Sequence, residues 1–210
     1  MRETLEMQRP VRAGFIKVAC EATLAQSPLG LLEAAAQASC RSDAAIEVHT
    51  EKGADAEAIL HFFIENGVPA QRLVICHIDK RADIGLHREL AREGVLLEYD
   101  TFFRPKYEPE RNLWPLLEGM VRGGLAGSVA LATDLADEAL WLTAGAGPGL
   151  AGLLTEIRPR LYGLGFDAST VRALTGLNIA ERLSRRPAWR HEILRGPEFP
   201  DIPIDGGNRS

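Results

Sequence analysis

The chain has 210 residues, of which 46% are hydrophobic and 25% charged, and its formal net charge is -5. This composition is ordinary for a globular protein with one sizeable core, and the negative charge argues against nucleic acid or an anionic membrane as the main partner. No apolar run reaches the roughly 20 residues that cross a bilayer, and the first ten residues lack the apolar centre of a signal peptide.

Extended and helical patterns alternate along the chain, and this alternation is typical of an α/β fold. The predicted strands cover residues 13–20, 44–50, 73–78, 95–99 and 128–134. The predicted helices cover 28–42, 56–66, 84–93 and 113–122, followed by two closing helices at 150–164 and 168–174. We expect about five parallel strands in a single domain over residues 1–210, with 185–210 as a C-terminal extension.

Three cysteines, Cys20, Cys40 and Cys76, are widely spaced and form no Cys-x-x-Cys pair. An odd number of cysteines in a chain without a signal peptide favours reduced thiols, and therefore the cytoplasm. The spacing also disfavours a structural zinc site built from cysteines.

Four ionisable residues, Lys17, His49, His77 and Asp134, are predicted at the carboxyl ends of strands. Active sites of α/β folds lie at that edge because the βα loops open there. Two neutral imidazoles suit zinc, manganese, cobalt or iron, and an aspartate adds an anionic ligand that can also act as a general base. A lysine joins such a site only if carbon dioxide carboxylates its amine. The set predicts metal-assisted hydrolysis; hydrogen-bonded histidines and a helix-capping aspartate are the simpler alternatives.

A second group, Arg104, Lys106 and Tyr107, lies in the predicted loop at 100–109. An arginine fork and a lysine point charge could bind a phosphate or carboxylate of a substrate, whereas the alternative is a solvated basic loop with a packed tyrosine. Asp79 is a candidate for orienting a ligand. Glu47 and Glu98 fall inside strands and receive no catalytic role.

Several segments resemble the consecutive strand motifs of the phosphotriesterase family, within the amidohydrolase superfamily. These segments are GFIKVA at 14–19, EVHT at 47–50, CHID at 76–79 and LATD at 131–134. The later NIAERL at 178–183 resembles the closing Asn-Pro-Ala segment of the family, with Ile179 in place of the proline. The resemblance covers roughly residues 11–184.

The resemblance implies a metal-dependent hydrolase of small-molecule lactones or related esters. It implies that Lys17 is carboxylated and bridges two divalent ions, most often zinc. It also implies that His49 and His77 bind the more exposed ion, and that Asp134 holds the hydroxide that attacks the substrate. Some members hydrolyse phosphorylated sugar lactones, and Arg104 with its neighbours Lys106 and Tyr107 is similar to their anion-binding group.

One motif of the family is missing: no His-x-His pair, which would hold the more buried metal, occurs in the sequence. The chain is also shorter than the ~250 residues of a complete barrel. We therefore expect an incomplete TIM-type (β/α) barrel that corresponds to the last five βα units. One alternative is an inactive remnant or half-barrel that needs a second copy or a complementing chain. Another is a hydrolase with one metal at His49, His77 and Asp134 and with Lys17 as a free amine.

Overall fold

Five parallel strands form one sheet in the computed structural model, which describes residues 13–184. The strands are β1 (Ile16–Cys20), β2 (Ile46–Thr50), β3 (Leu73–Cys76), β4 (Leu96–Tyr99) and β5 (Val129–Leu131). They pair in chain order, so β1 and β5 each have one neighbour among the described strands. The predicted α/β class is confirmed, and the sheet is an incomplete barrel. The predicted extension at 185–210 lies outside the described residues.

A helix follows each of the first four strands, as predicted. The helices are α1 (Leu29–Ser42), α2 (Ala56–Glu65), α3 (Ile84–Glu93), α4 (Leu113–Arg122), α5 (Leu142–Gly145), α6 (Arg158–Gly163), α7 (Ala168–Arg172) and α8 (Asn178–Leu183). Two wider π-helical turns, Leu153–Ile157 and Ala173–Leu177, precede α6 and α8. Short 3-10 turns cover Leu24–Gln26, Ala70–Arg72, Ile78–Lys80, Pro105–Tyr107, Ala126–Ser128 and Glu138–Leu140. Among residues 13–184, no helix is both long enough and apolar enough to cross a membrane.

Alternation along the strands divides the sheet into two faces. The outer face packs under the helices in one large core, to which it contributes Val18, Val48, Ile75, Leu97 and Leu131 among others. The inner face corresponds to the interior of a barrel. At the amino-terminal ends of the strands, this inner face begins with a small apolar cluster of Val74, Leu96 and Ala130, against which Ile179 packs. Polar residues follow above this cluster, toward the carboxyl ends of the strands.

Helix α8 closes the amino-terminal end of the sheet. The sequence predicted that the last helix ends at residue 174, but the helical region continues to Leu183. The Asn178 side chain donates to the carbonyls of Ala126 and Val129, both at 2.7 Å. The Arg182 guanidinium donates to three further carbonyls at 2.9–3.3 Å. These bonds satisfy backbone groups at the starts of the strands. The segment that resembles the family's closing motif therefore has a structural role.

His87 lies on α3, fully buried behind the sheet. Its Nε2 is 2.9 Å from the carbonyl of Arg81 and must donate, so its Nδ1 accepts from the Tyr99 hydroxyl at 2.5 Å. Burial lowers the pKa of His87 to about 4. The folded protein therefore holds this imidazole neutral at a pH where the unfolded chain already binds a proton.

Acid should weaken the fold through His87. Its pKa is about 4 when folded and about 6.5 when unfolded. Its contribution is complete above the unfolded pKa and is lost as the pH falls toward the folded value, by about 3 kcal/mol. Urea unfolding at pH 7 and pH 4 should therefore give a smaller loss of stability in His87→Gln than in the unaltered chain. Equal losses in the two proteins would contradict this assignment.

Candidate functional site

His49 and His77 meet at the carboxyl edge of the sheet. His49 is the fourth residue of β2, and His77 directly follows β3. Their rings pack edge to face with 4.6 Å between centroids. Asp134 follows β5, and its carboxylate lies 3.9 Å from His77 Nδ1. The structure thus brings three of the four predicted metal ligands to one mouth.

The backbone at two of these residues is unusual. His77 and Asp134 have φ values of 62° and 38°, in the left-handed region that residues other than glycine seldom adopt. Such a conformation costs about 1 kcal/mol or more and persists only where neighbouring contacts fix it. One such contact is the Thr50 hydroxyl, which donates to the carbonyl of Cys76 at 2.8 Å, directly before His77. The sharp turn brings the His77 side chain to the mouth.

Asp100, which directly follows β4, is a site residue that sequence reasoning missed. Its side chain is 0% exposed, and one carboxylate oxygen is 2.6 Å from His77 Nδ1. The two atoms are not aligned as a hydrogen bond, and neither Asp100 oxygen has a hydrogen-bond partner among the described residues. Burial, reinforced by the charge of Asp134, raises the pKa of Asp100 to about 7. Its place directly after a strand is the signal in the sequence, although the Pro-containing pattern predicts that it belongs to the loop at 100–109.

Asp79 fixes the position of Asp100. It is 2% exposed, and one of its oxygens accepts from the backbone N–H groups of Asp100 and Thr101 at 3.2 and 3.0 Å. The Thr101 hydroxyl donates to the same oxygen at 2.5 Å. The sequence predicts that Asp79 orients a metal ligand. Its hydrogen bonds go instead to residues 100 and 101, and Asp100 is the residue that touches His77.

Lys17 lies below the mouth, because β1 starts at Ile16 and places Lys17 opposite Glu47 in the sheet. The prediction that Lys17 lies at the carboxyl end of the strand is therefore wrong. Lys17 lies two residues before Ala19, the partner of His49 in the sheet, which is about 7 Å along the strand. Its amine donates to Glu47 at 2.9 Å and to Cys76 Sγ at 3.3 Å. Burial alone would lower the pKa of Lys17, but Cys76 and Glu47 outweigh burial and raise it.

The residues at the mouth offer nitrogen and oxygen ligands for a divalent ion. Buried atoms of His49, His77 and Asp100 have no hydrogen-bond partner among the described residues. Burial lowers the pKa of both histidines, which favours the neutral imidazoles that metals bind. The ligand-bearing atoms of His77, Asp100 and Asp134 all lie within 4.8 Å of one another, whereas those of His49 group with Glu21 and Glu51. Nitrogen and oxygen donors in such a set suit zinc or a similar ion.

A carboxylated Lys17 does not fit this arrangement. Ligand-bearing atoms of Glu47, Cys76 and Glu98 lie within 4.8 Å of one another beside its amine. Burial and the neighbouring charges of Asp100 and Glu47 raise the pKa of Glu98 to about 7. A negatively charged carbamate would face these acidic groups, so Glu47 would first have to turn away. The metal role of Lys17 stays a prediction.

The predicted substrate-binding residues separate into two places. Arg104 donates to a carboxylate oxygen and the carbonyl of Asp134, both at 2.6 Å, so it contacts a predicted metal ligand. The Lys106 amine lies 4.9 Å from the centre of the Tyr107 ring. Lys80, which sequence reasoning did not select, lies 5.3 Å from the same ring. We call Lys80, Lys106 and Tyr107 the basic rim.

A known protein family matches most of the chain. The profile of the Phosphotriesterase family matches residues 7–178. A phosphotriesterase homology protein of Mycobacterium tuberculosis is 32% identical over 129 residues, which are 59% of this chain and 39% of that protein. The chain therefore spans about two fifths of the length of this curated relative.

Solved structures give the same result. A lactonase from Listeria monocytogenes superposes with a TM-score of 0.78 at 25% identity, over 85% of this chain and 56% of the lactonase. An amidohydrolase from Mycoplasma synoviae superposes with a TM-score of 0.76 at 26% identity, over 83% of this chain and 52% of that protein. Together with the profile match over residues 7–178, these likenesses show that the chain belongs to the phosphotriesterase family.

Proposed function

We propose that this chain acts in metal-dependent hydrolysis of an ester, foremost a lactone. The observation that carries the proposal is the convergence of His49, His77 and Asp134 at one mouth, where His49 Nε2 and His77 Nδ1 are buried and have no hydrogen-bond partner among residues 13–184. Membership of the phosphotriesterase family supports it, as does the likeness to a lactonase.

His49, His77 and Asp134 would hold the ion, and zinc is our first choice because two imidazoles and a carboxylate are typical zinc ligands. When bound, a divalent ion supplies Lewis acidity to the substrate carbonyl and lowers the pKa of water. Asp134 accepts the proton of the attacking water as general base. Arg104 orients the Asp134 carboxylate through its bond at 2.6 Å. We propose one ion rather than two, because the carboxylated Lys17 of a two-ion centre conflicts with Glu47.

The basic rim suggests that the substrate carries an anionic group. Two lysine amines flank the Tyr107 ring at 5.3 and 4.9 Å, beside the loop that follows β4. The positive charge of Lys80 also lowers the pKa of His77, after the larger effect of burial, so Lys80 is close to the mouth. A phosphate on a sugar lactone would match this charge. We therefore propose a phosphorylated sugar lactone as the substrate class.

Removing both lysines of the basic rim should weaken binding of the phosphorylated substrate specifically. In the variant Lys80→Met with Lys106→Met, we expect KM for a phosphorylated lactone to rise up to about 30-fold, because each exposed lysine–phosphate pair is worth up to ~1 kcal/mol. We expect little change in kcat, and little change for an unphosphorylated lactone. Arg92→Gln, at the far end of α3, serves as the charge control. Equal effects on both lactones would count against an anionic substrate group.

A second candidate is a half-barrel that needs a second copy or another chain. Strands β1 and β5 each have an open edge among the described residues, and open edges favour pairing with other strands. Size-exclusion chromatography over a range of concentrations tests this candidate, since a concentration-independent monomer would exclude a self-complementing assembly.

We also propose that the chain forms a single domain. We propose a cytoplasmic location as well, which the reduced cysteines favour.

A further inference from the structure

We propose that Asp100 is a positioning residue of the metal centre, which aligns the His77 ring so that its Nε2 can bind the ion. The inference rests on the proposed function, because it assigns a partner to one of the proposed ligands. It is carried by one contact, the 2.6 Å approach of an Asp100 oxygen to His77 Nδ1. A histidine that binds metal through one ring nitrogen usually presents the other to a carboxylate.

Burial makes this contact difficult to explain as a surface ion pair. Asp100 is 0% exposed and His77 is 8% exposed at the side chain. A buried carboxylate normally finds several hydrogen-bond donors, yet neither Asp100 oxygen has an aligned one among the described residues. The cost of burying such a group is offset only if a cation or a donor faces it. The neighbouring His77, bound to an ion through Nε2, would present its Nδ1–H as that donor.

Asp79 holds the backbone of Asp100 in place through hydrogen bonds. Asp79 accepts hydrogen bonds from the backbone of Asp100 and Thr101 and from the Thr101 hydroxyl. Asp79 itself is 2% exposed and stands two residues after His77. The loops after β3 and β4 are therefore joined by Asp79 on one side and by the contact of Asp100 with His77 on the other. Such a closed arrangement fixes the ring before an ion arrives.

The test compares cobalt binding by the full chain and by Asp100→Asn, an isosteric variant that keeps an oxygen acceptor but removes the charge. We expect affinity for Co²⁺, measured by competition with a chelator, to fall about tenfold or more. Stoichiometry and the shape of the visible Co²⁺ absorption bands should be unchanged, because no ligand is lost. His87→Gln is the control: it removes a buried polar contact behind the sheet and should leave Co²⁺ affinity unchanged.

Three results would overturn the inference in different ways. Unchanged Co²⁺ affinity in Asp100→Asn would remove any role for the carboxylate. Altered absorption bands would make Asp100 a ligand instead of a positioning residue. If His87→Gln weakened Co²⁺ binding by the same factor, the weaker binding of Asp100→Asn would be explained by a general loss of stability. Absence of Co²⁺ binding by the unaltered chain would instead sink the proposed function itself, and the inference with it.

Discussion

Replacing His49 and His77 together by alanine is expected to abolish metal binding and hydrolysis. These two imidazoles supply both nitrogen ligands of the proposed centre, and their rings are only 4.6 Å apart. An ion left with carboxylates alone would be bound far more weakly at a site suited to zinc. Loss of Lewis acidity should lower kcat/KM by about 10³-fold or more, since a metal supplies several kcal/mol of transition-state stabilisation. Metal content by mass spectrometry and lactone hydrolysis are the measurements.

The matched control is His61→Ala, which removes an exposed histidine on α2. This variant should retain metal and activity. Thermal unfolding of both variants separates lost ligation from lost folding. If the double variant kept its metal and hydrolysed lactone at the normal rate, His49 and His77 would not be ligands.

Asp134→Asn should lower kcat by about 10²–10⁴-fold, the usual contribution of a general base. The amide is nearly the same size as the carboxylate but cannot accept the proton of water. It also weakens the pair with Arg104, whose guanidinium now lies 2.6 Å from the carboxylate. We expect KM to change much less than kcat, because the basic rim that binds the substrate is separate. Steady-state kinetics with saturating metal measure both constants.

Asp137→Asn is the control for this variant. Asp137 is exposed in the same segment, where it caps a short turn by accepting from the Ala139 N–H at 3.0 Å. It should retain full activity. A fall in kcat of equal size in both variants would mean that the segment, rather than the Asp134 carboxylate, limits the reaction.

Much of the fold follows from sequence pattern. The alternation of apolar extended runs with helical spacing predicted five parallel strands, and α3 and α4 have the bounds that Gly94 and Gly123 suggested. His49 and His77 were predicted at one edge because each stands at or just after the end of a buried strand. Local pattern was less informative at the C-terminal end. There the docking of Asn178 and Arg182 onto backbone carbonyls, a tertiary effect, extends the helical region to Leu183.

Details of the site depend on contacts that no local pattern contains. The left-handed backbone of His77 and Asp134 lies beside hydrogen bonds from residues distant in sequence, from Thr50 to the carbonyl of Cys76 and from Arg104 to the carbonyl of Asp134. The low position of Lys17 depends on where β1 begins and on its pairing with Glu47. Arg104 is predicted to bind substrate, and its contact with Asp134, which lies 30 residues away, is not visible in any local pattern. The single-domain interpretation stays a prediction.

We propose that this chain binds one divalent ion at His49, His77 and Asp134. The most direct test of this proposal is the metal content of the purified chain, stripped with a chelator, reloaded with zinc and measured by mass spectrometry. We predict about one zinc ion per chain. A folded sample that retains no zinc after reloading would contradict the claim, and two ions per chain would contradict the one-ion centre.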